Sequence, residues 1–182
     1  LYVNAGKVTN KGIELALGFK QNIGPVDWKT TLLWSLNRNR IDQLLPEYTN
    51  EELGVTVHLD EMDVYSLGGA KQRLTVGGSM GDVYVNTMRT DEHGHIWMNS
   101  MTGTLETDKN NYVYAGNTNP KYTLSWRNEF NWKGISLGFM LNARVGGIGV
   151  SATQAVMDYY GVSKTSAEAR DNGGVKVNGQ MI

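Results

Sequence analysis

Two alternating runs set back to back, Tyr122–Trp132 and Ile135–Val145, constrain this chain more than any other feature. In the first, Tyr122, Leu124, Trp126, Asn128, Phe130 and Trp132 alternate with Thr123, Ser125, Arg127, Glu129 and Asn131. After the step Lys133-Gly134, Ile135, Leu137, Phe139, Leu141, Ala143 and Val145 alternate with Ser136, Gly138, Met140, Asn142 and Arg144. Side chains on a strand point alternately to opposite faces, so the runs predict a β-hairpin with one apolar and one polar wall. Soluble strands typically hold about five or six residues, whereas a tilted strand crossing a bilayer needs roughly 9–11. Arms of about eleven residues therefore point to an all-β, antiparallel transmembrane barrel.

The same alternation predicts a first hairpin within residues 1–40. Over 11–20, Ile13, Leu15, Leu17 and Phe19 oppose Glu14, Ala16, Gly18 and Lys20. Over 26–40, Trp28, Thr30, Leu32, Trp34 and Leu36 oppose Asp27, Lys29, Thr31, Ser35, Asn37 and Asn39, with Leu33 out of pattern. Asn22, Gly24 and Pro25 supply turn chemistry between them. Residues 41–72 lose the alternation and gather acidic side chains, which predicts an extracellular loop with a short strand near 55–59. Residues 73–121 read as a strand over 73–88 bent at Gly77-Gly78 and Gly81, then an irregular region with a short strand at 112–114. Residues 122–146 are the hairpin described above. Residues 147–182 read as a second extracellular loop. It carries two short helices, 152–160 ended by Gly161 and 163–170 capped by Ser163 or Thr165, with Glu168 three residues after Thr165.

Composition removes several function classes. With 17 basic and 18 acidic residues and a net charge of −1, nothing draws the chain to nucleic acid. There is no Cys, hence no disulfide framework and no thiolate metal site. No run approaches the roughly 18 consecutive apolar residues of a spanning helix, a test that barrels escape because half of each strand faces the lumen. A mean hydropathy of −0.38 suits either a soluble β protein or a barrel. Trp28 and Trp132 beside the turns, and Tyr122 at a far strand end, sit where membrane interfaces collect aromatic rings. The strands are too few to close a barrel, and no plug or signal peptide is visible, so the expectation is one piece of a larger protein.

Three motifs carry a resemblance. Asn4-Ala-Gly-Lys-Val-Thr-Asn10-Lys-Gly12-Ile-Glu14 resembles the strand opening N-x-G-x-x-x-N-x-G-(I/V)-E of TonB-dependent outer-membrane receptors. Gly116-Asn117-Thr118-Asn119-Pro120 is similar to the G-N-x-x-P that precedes a barrel strand in their SusC/RagA branch. Residues 147–163 and 170–175 look like extracellular-loop sequence of that branch. The resemblance implies a late segment of a barrel closed by 22 strands, located in the cell outer membrane and filled by a plug domain. It further implies a SusD-like surface lipoprotein as lid, the TonB complex as energy source, and oligosaccharide or peptide cargo. Gly12, Glu14, Gly116, Asn117 and Pro120 are its structural motif positions. The acidic run that many relatives carry before G-N-x-x-P has only Asp91-Glu92-His93-Gly94 as a counterpart, so no calcium site is carried over.

No nucleophile elbow or dinucleotide fingerprint occurs, and the expectation is a non-enzymatic protein without cofactor. Gly77-Gly78-Ser79-Met80-Gly81 is the nearest approach to a phosphate loop but lacks the following Lys-Ser/Thr. His93 and His95 lack a third ligand at metal spacing. Arg127, Glu129 and Arg144, on the polar wall, are candidate lumen residues; the plainer reading is a salt-bridged lining. Trp97, Tyr112 and Tyr114 are candidate platforms for sugar rings. The rival class is a soluble or surface-displayed β-sandwich that binds glycans through exposed aromatics.

Overall fold

The alternating runs become long antiparallel strands in the computed structural model, which describes residues 6–181. In chain order the elements are β1 (Lys7–Ile23), β2 (Val26–Gln43), β3 (Leu45–Asn50), β4 (Val55–Leu59), β5 (Glu61–Leu67), β6 (Ala70–Thr75), β7 (Asp82–Met88) and β8 (Thr107–Asn117). They continue with β9 (Tyr122–Trp132), β10 (Ile135–Val145), α1 (Ala152–Tyr159), α2 (Lys164–Asp171), β11 (Lys176–Val177) and β12 (Gln180–Met181). The fold is all-β and antiparallel, with two short helices. Among the described residues no sheet closes on itself: the main one is open, in the order β1-β2-β9-β10. The chain divides into two units, one of residues 6–62, 74–82 and 116–148, the other of 63–73, 83–115 and 149–181.

In the first unit, register decides everything about the sheet. Leu17 pairs with Leu32, Leu32 with Trp126 and Trp126 with Leu141, and residues opposite one another share a face. The apolar walls of all four strands therefore merge into one face. The turns lie level as well, because Ile23 pairs with Val26, Val26 with Trp132 and Trp132 with Ile135. Gly24 (φ +58°) before Pro25 makes a type II′ turn, and Lys133 (φ +42°) with Gly134 (φ +86°) a type I′ turn. Both twist in the sense that two-residue hairpins need. At the opposite end, β2 runs past Ser35, its last partner to β9, and the chain between β2 and β9 makes its long excursion there.

Very little of this surface is covered. Ile41, Ala70 and Val83 are the only buried apolar residues among those described, while Ile13 is 60% and Leu137 61% exposed. On the apolar face the aromatic rings pack against each other instead. Trp28 stacks on Phe130 (centroids 6.1 Å apart, planes 6° apart), Phe19 meets Trp28 edge-on at 5.8 Å, and Phe139 meets Phe130 at 6.3 Å and Trp126 at 6.1 Å.

Three stretches depart from the sequence reading. Residues 41–72, expected as a loop with a short strand near 55–59, hold that strand as β4 and also β3 and β5; β3 and β4 pair through Tyr48↔Val57 and Thr49↔Thr56, with the turn closed by Asn50 accepting from Glu52 N–H (3.0 Å). β3 and β5 mix polar and apolar residues across their faces, so alternation does not mark them. The expected single bent strand over 73–88 is two antiparallel strands, because Gly77 (φ +88°) reverses the chain between β6 and β7. The strand expected at 112–114 extends over the whole of β8, whose polar Thr107–Asn111 half gave no apolar signal. The helices lie close to expectation. Gly161 (φ +67°) follows α1, with its N–H on Asp158 O and that of Val162 on Met157 O; Ser163 alone caps α2, accepting from Ser166 N–H (3.1 Å).

Gly12 and Gly18 allow a direct test of the β1–β2 ladder. A Cβ at Gly12 would sit 2.7 Å from Leu36 O, whereas at Gly18 it meets nothing within 4 Å. Gly12→Ala should destabilise the sheet by about 1–3 kcal/mol and Gly18→Ala by nothing measurable, read as the urea midpoint of refolded protein.

Candidate functional site

The polar wall of the main sheet comes from the residues between the apolar ones. Glu14 pairs with Ser35, Ser35 with Thr123 and Thr123 with Arg144, so these four form one rung, tied at its centre by a 2.7 Å hydrogen bond between the Ser35 and Thr123 hydroxyls. Arg127 and Glu129, two residues apart on β9, form an ion pair. The structure thus places Arg127, Glu129 and Arg144 on one face, with the first two engaged with each other.

The motif residues prove to be construction points. Gly116 has φ +148°, and a Cβ there would lie 3.0 Å from Ile148. Asn117 donates from Nδ2 to Asp82 Oδ1 (2.7 Å) and accepts at Oδ1 from Asn119 N–H (2.7 Å), while its carbonyl receives Ile148 N–H (2.9 Å). The Pro120 carbonyl accepts from Arg38 Nη1 at 3.5 Å. Gly12 is the close-approach site already described. Glu14 takes its place in the polar rung.

Sequence reasoning missed Asp82, which is buried to 7% exposure and holds this corner together. Its second oxygen accepts from Ser79 N–H (2.7 Å). Ser79 Oγ donates in turn to Asn39 Oδ1 (2.7 Å), which also receives Met80 N–H (2.8 Å). The N–H groups of Gly77 and Gly78 go to Ile41 O and Thr75 O. Every amide from Gly77 to Asp82 is therefore committed within the protein, and the glycine-rich segment offers no cradle to a phosphate. The only sequence signal for Asp82 was its place directly after a glycine turn.

In the second unit, Tyr112 and Tyr114 share a face of β8. Lys71 Nζ lies 3.5 Å from the centre of the Tyr112 ring, and Arg73 sits 5.6 Å from Tyr84 and 5.9 Å from Tyr112. Tyr114 meets Tyr84 edge-on at 5.7 Å and remains 57% exposed. Asp63 receives hydrogen bonds from Lys71 Nζ and Arg73 Nε, each at 2.7 Å. Arg73 holds the Asp63 carboxyl below the usual carboxylate range, against an opposing push from partial burial and with further help from Lys71. Trp97 lies apart from the tyrosine group, beneath Arg89 at 4.6 Å; Arg89 also bonds Glu106 (3.2 Å) at the edge of a polar groove of about 610 Å³ that includes Asp108, Lys109 and Asn110. The three aromatic candidates thus belong to two neighbourhoods. Tyr114 packs on Tyr84, and Tyr112 has one face taken by an ammonium.

His93 and His95 both gather on Asp91. His95 N–H and His93 N–H both donate to Asp91 Oδ1 (2.8 and 2.9 Å), with the His95 ring against the other oxygen, and these contacts hold the Asp91 carboxyl below its usual range. Among the described residues no three metal-ligating side chains converge. No protein-family model matches this chain, and no curated protein matches it.

A depressed Asp63 value has a defined consequence. Its contribution to stability is fully present above the unfolded value near 3.8 and is lost as pH falls through the lower folded value. Protection factors at the Lys71 and Arg73 amides, which take out the intrinsic slowing of exchange by acid, should therefore fall on acidification below about pH 4 in the parent protein. Asp63→Asn should show lower protection at neutral pH and a flatter dependence of protection on acid.

Proposed function

We propose that this chain is a stretch of wall from an outer-membrane β-barrel transporter of the TonB-dependent, SusC/RagA kind, importing oligosaccharides or peptides beneath a SusD-like lipoprotein. The observation that carries this reading is the single exposed apolar face formed by β1, β2, β9 and β10, backed by a mainly polar face interrupted at Leu33 and Met140. A surface of that size and chemistry in water is an aggregation hazard; against hydrocarbon it is at home. Tight turns at one end of the sheet and a long excursion at the other match the barrel habit of short periplasmic turns and long outer loops.

The polar atoms on the apolar face add support. Trp28 Nε1 donates to Asn128 Oδ1 (3.1 Å), and Trp126 Nε1 to Thr30 Oγ1 (2.9 Å). Both indoles thus bond within the face, as hydrocarbon surroundings demand, since lipid tails offer no acceptor. In this reading the polar wall lines a hydrated lumen and the Arg127–Glu129 pair belongs to that lining. The protein performs no chemistry on what it carries; energy arrives through the TonB complex. The rival glycan-binding sandwich requires a second sheet packed on the apolar face.

Substitutions on neighbouring residues of β10 test the assignment of faces. Leu141, in the middle rungs beside Trp126, should tolerate Arg badly, at a cost of roughly 2–4 kcal/mol near the bilayer midplane, and Leu137→Arg, nearer the turn, should cost less. Asn142→Arg, on the other face, should assemble normally. The measurement is the heat-modifiable gel mobility of the full-length protein in outer-membrane fractions. Greater damage from Asn142→Arg than from Leu141→Arg would reverse the faces and overturn the reading.

A further inference from the structure

The stretch that leaves α2 holds both Asn-Gly pairs of the chain, Asn172-Gly173 and Asn178-Gly179. This dipeptide has a chemistry of its own. A glycine amide nitrogen has no Cβ beside it to shield it, so it can reach the side-chain carbonyl carbon of the preceding asparagine and close a five-membered ring. The structure holds the two copies in opposite conditions. Asn178 lies in the left-handed region (φ +51°) at the β11–β12 turn, and its carboxamide is clasped to the main chain of Ile96: Oδ1 accepts from Ile96 N–H (2.8 Å) and Nδ2 donates to Ile96 O (2.7 Å). Asn172 is the C-cap of α2 and is exposed; among the described residues its carboxamide has no hydrogen-bond partner. Beyond it, Gly173 N–H (φ +79°) donates to Arg170 O (3.1 Å) and Gly174 N–H to Ala169 O (2.7 Å), the paired bonds that close a helix on a left-handed glycine.

We propose that Asn172 is a site of spontaneous deamidation, from which Asn178 is spared by its clasp on Ile96. In the reaction Gly173 N bonds to Asn172 Cγ and gives its proton to solvent; the Cγ–Nδ2 bond breaks and the side-chain nitrogen leaves as ammonia. Water then opens the succinimide. Cleavage at Cγ leaves aspartate, whereas cleavage at the main-chain carbonyl leaves isoaspartate, with the chain running through the former side chain. One water is taken up, one ammonia is released and nothing is oxidised. The two sites differ in what must break first. At Asn172 the last turn must open, and α2 is eight residues long with no buried side chain to hold it. At Asn178 both bonds to Ile96 must go before Cγ can swing toward Gly179 N. Conversion at position 172 has a structural consequence. A carboxylate at the C-cap stands against the negative end of the helix dipole. Isoaspartate also adds a carbon to the main chain inside the ring closed by Gly173 N–H and Arg170 O, so that cap cannot re-form in its present geometry. The modification therefore releases the end of α2, whether or not the first unit lies in a membrane.

Trypsin cuts after Arg170 and after Lys176, which puts the two asparagines on different peptides. The folded full-length protein is held at mildly alkaline pH and physiological temperature, sampled over time and digested in mildly acidic buffer. The peptides are then followed by mass spectrometry, with chromatographic separation of the aspartate and isoaspartate forms. Conversion at Asn172 should outrun conversion at Asn178 by about tenfold or more, the factor that two retained hydrogen bonds supply. In urea-unfolded protein both sites should convert and the two rates should converge, because the dipeptide is the same at each. Asn172→Gln should remove the fast conversion and leave the slow one untouched, since the longer side chain would have to close a six-membered ring. Equal rates in the folded protein overturn the proposal, because the clasp then protects nothing. An Asn172 that converts only after unfolding overturns it too, since the helix cap then holds the site shut. A difference that persists in urea also overturns it, by tracing the selectivity to neighbouring residues rather than to the fold.

Discussion

Strand register across β1, β2, β9 and β10 is the constraint on which the rest depends. Because the side-chain period of a strand is two, a slip of one residue in any of the three ladders would transfer that strand's apolar residues to the polar face. The rungs Leu17–Leu32–Trp126–Leu141 and Glu14–Ser35–Thr123–Arg144 show the two faces kept separate through all three ladders. Two-residue turns pin two of these ladders from the same end. The third, β2–β9, joins strands far apart in sequence and has no turn of its own. Its register is held by side chains: Trp28 bonded to Asn128, Trp126 bonded to Thr30, and the Ser35–Thr123 hydroxyl contact all cross it.

Those contacts explain why polar residues stand in an otherwise apolar wall. Asn128 is 1% exposed and lies among aromatic rings, with its Oδ1 spoken for and its Nδ2 without a partner. Leaving an amide donor unpaired costs free energy. A leucine there would avoid that cost but would strand the Trp28 N–H in the same dry surroundings. Thr30 serves Trp126 in the same way and donates its hydroxyl to Arg127 O (3.3 Å). The wall is therefore specified by a few directional bonds set within a large non-directional surface.

Much of this was legible without coordinates. Both long hairpins, both tight turns, the membership of each wall and the two terminal helices follow from periodicity and from Gly, Pro and Ser chemistry. The candidate site was less so. Arg127 and Glu129 were visible as polar-wall residues, but their mutual engagement was not, since i and i+2 side chains on a strand meet only if nothing opposite competes. Asp82 was invisible because it acts through Asn117 and Ser79, the first of which is remote in sequence. Tyr112 read as an open sugar platform, and the ammonium of Lys71 that covers it comes from another strand. β3, β5 and the first half of β8 carried no signal for a common reason: strands with little contrast between their faces show no alternation.

The sequence by itself determined that these strands form, where they turn and which residues share a wall, because alternation and turn conformation are local properties of the chain. Only the tertiary structure decided that the apolar walls of β2 and β9 fall on the same side. It also decided that the two turns lie level and that Arg127 engages Glu129 on its own strand. Those outcomes rest on pairing between distant segments, where hydrogen-bond register and a few buried side chains choose among alignments that local pattern leaves equivalent.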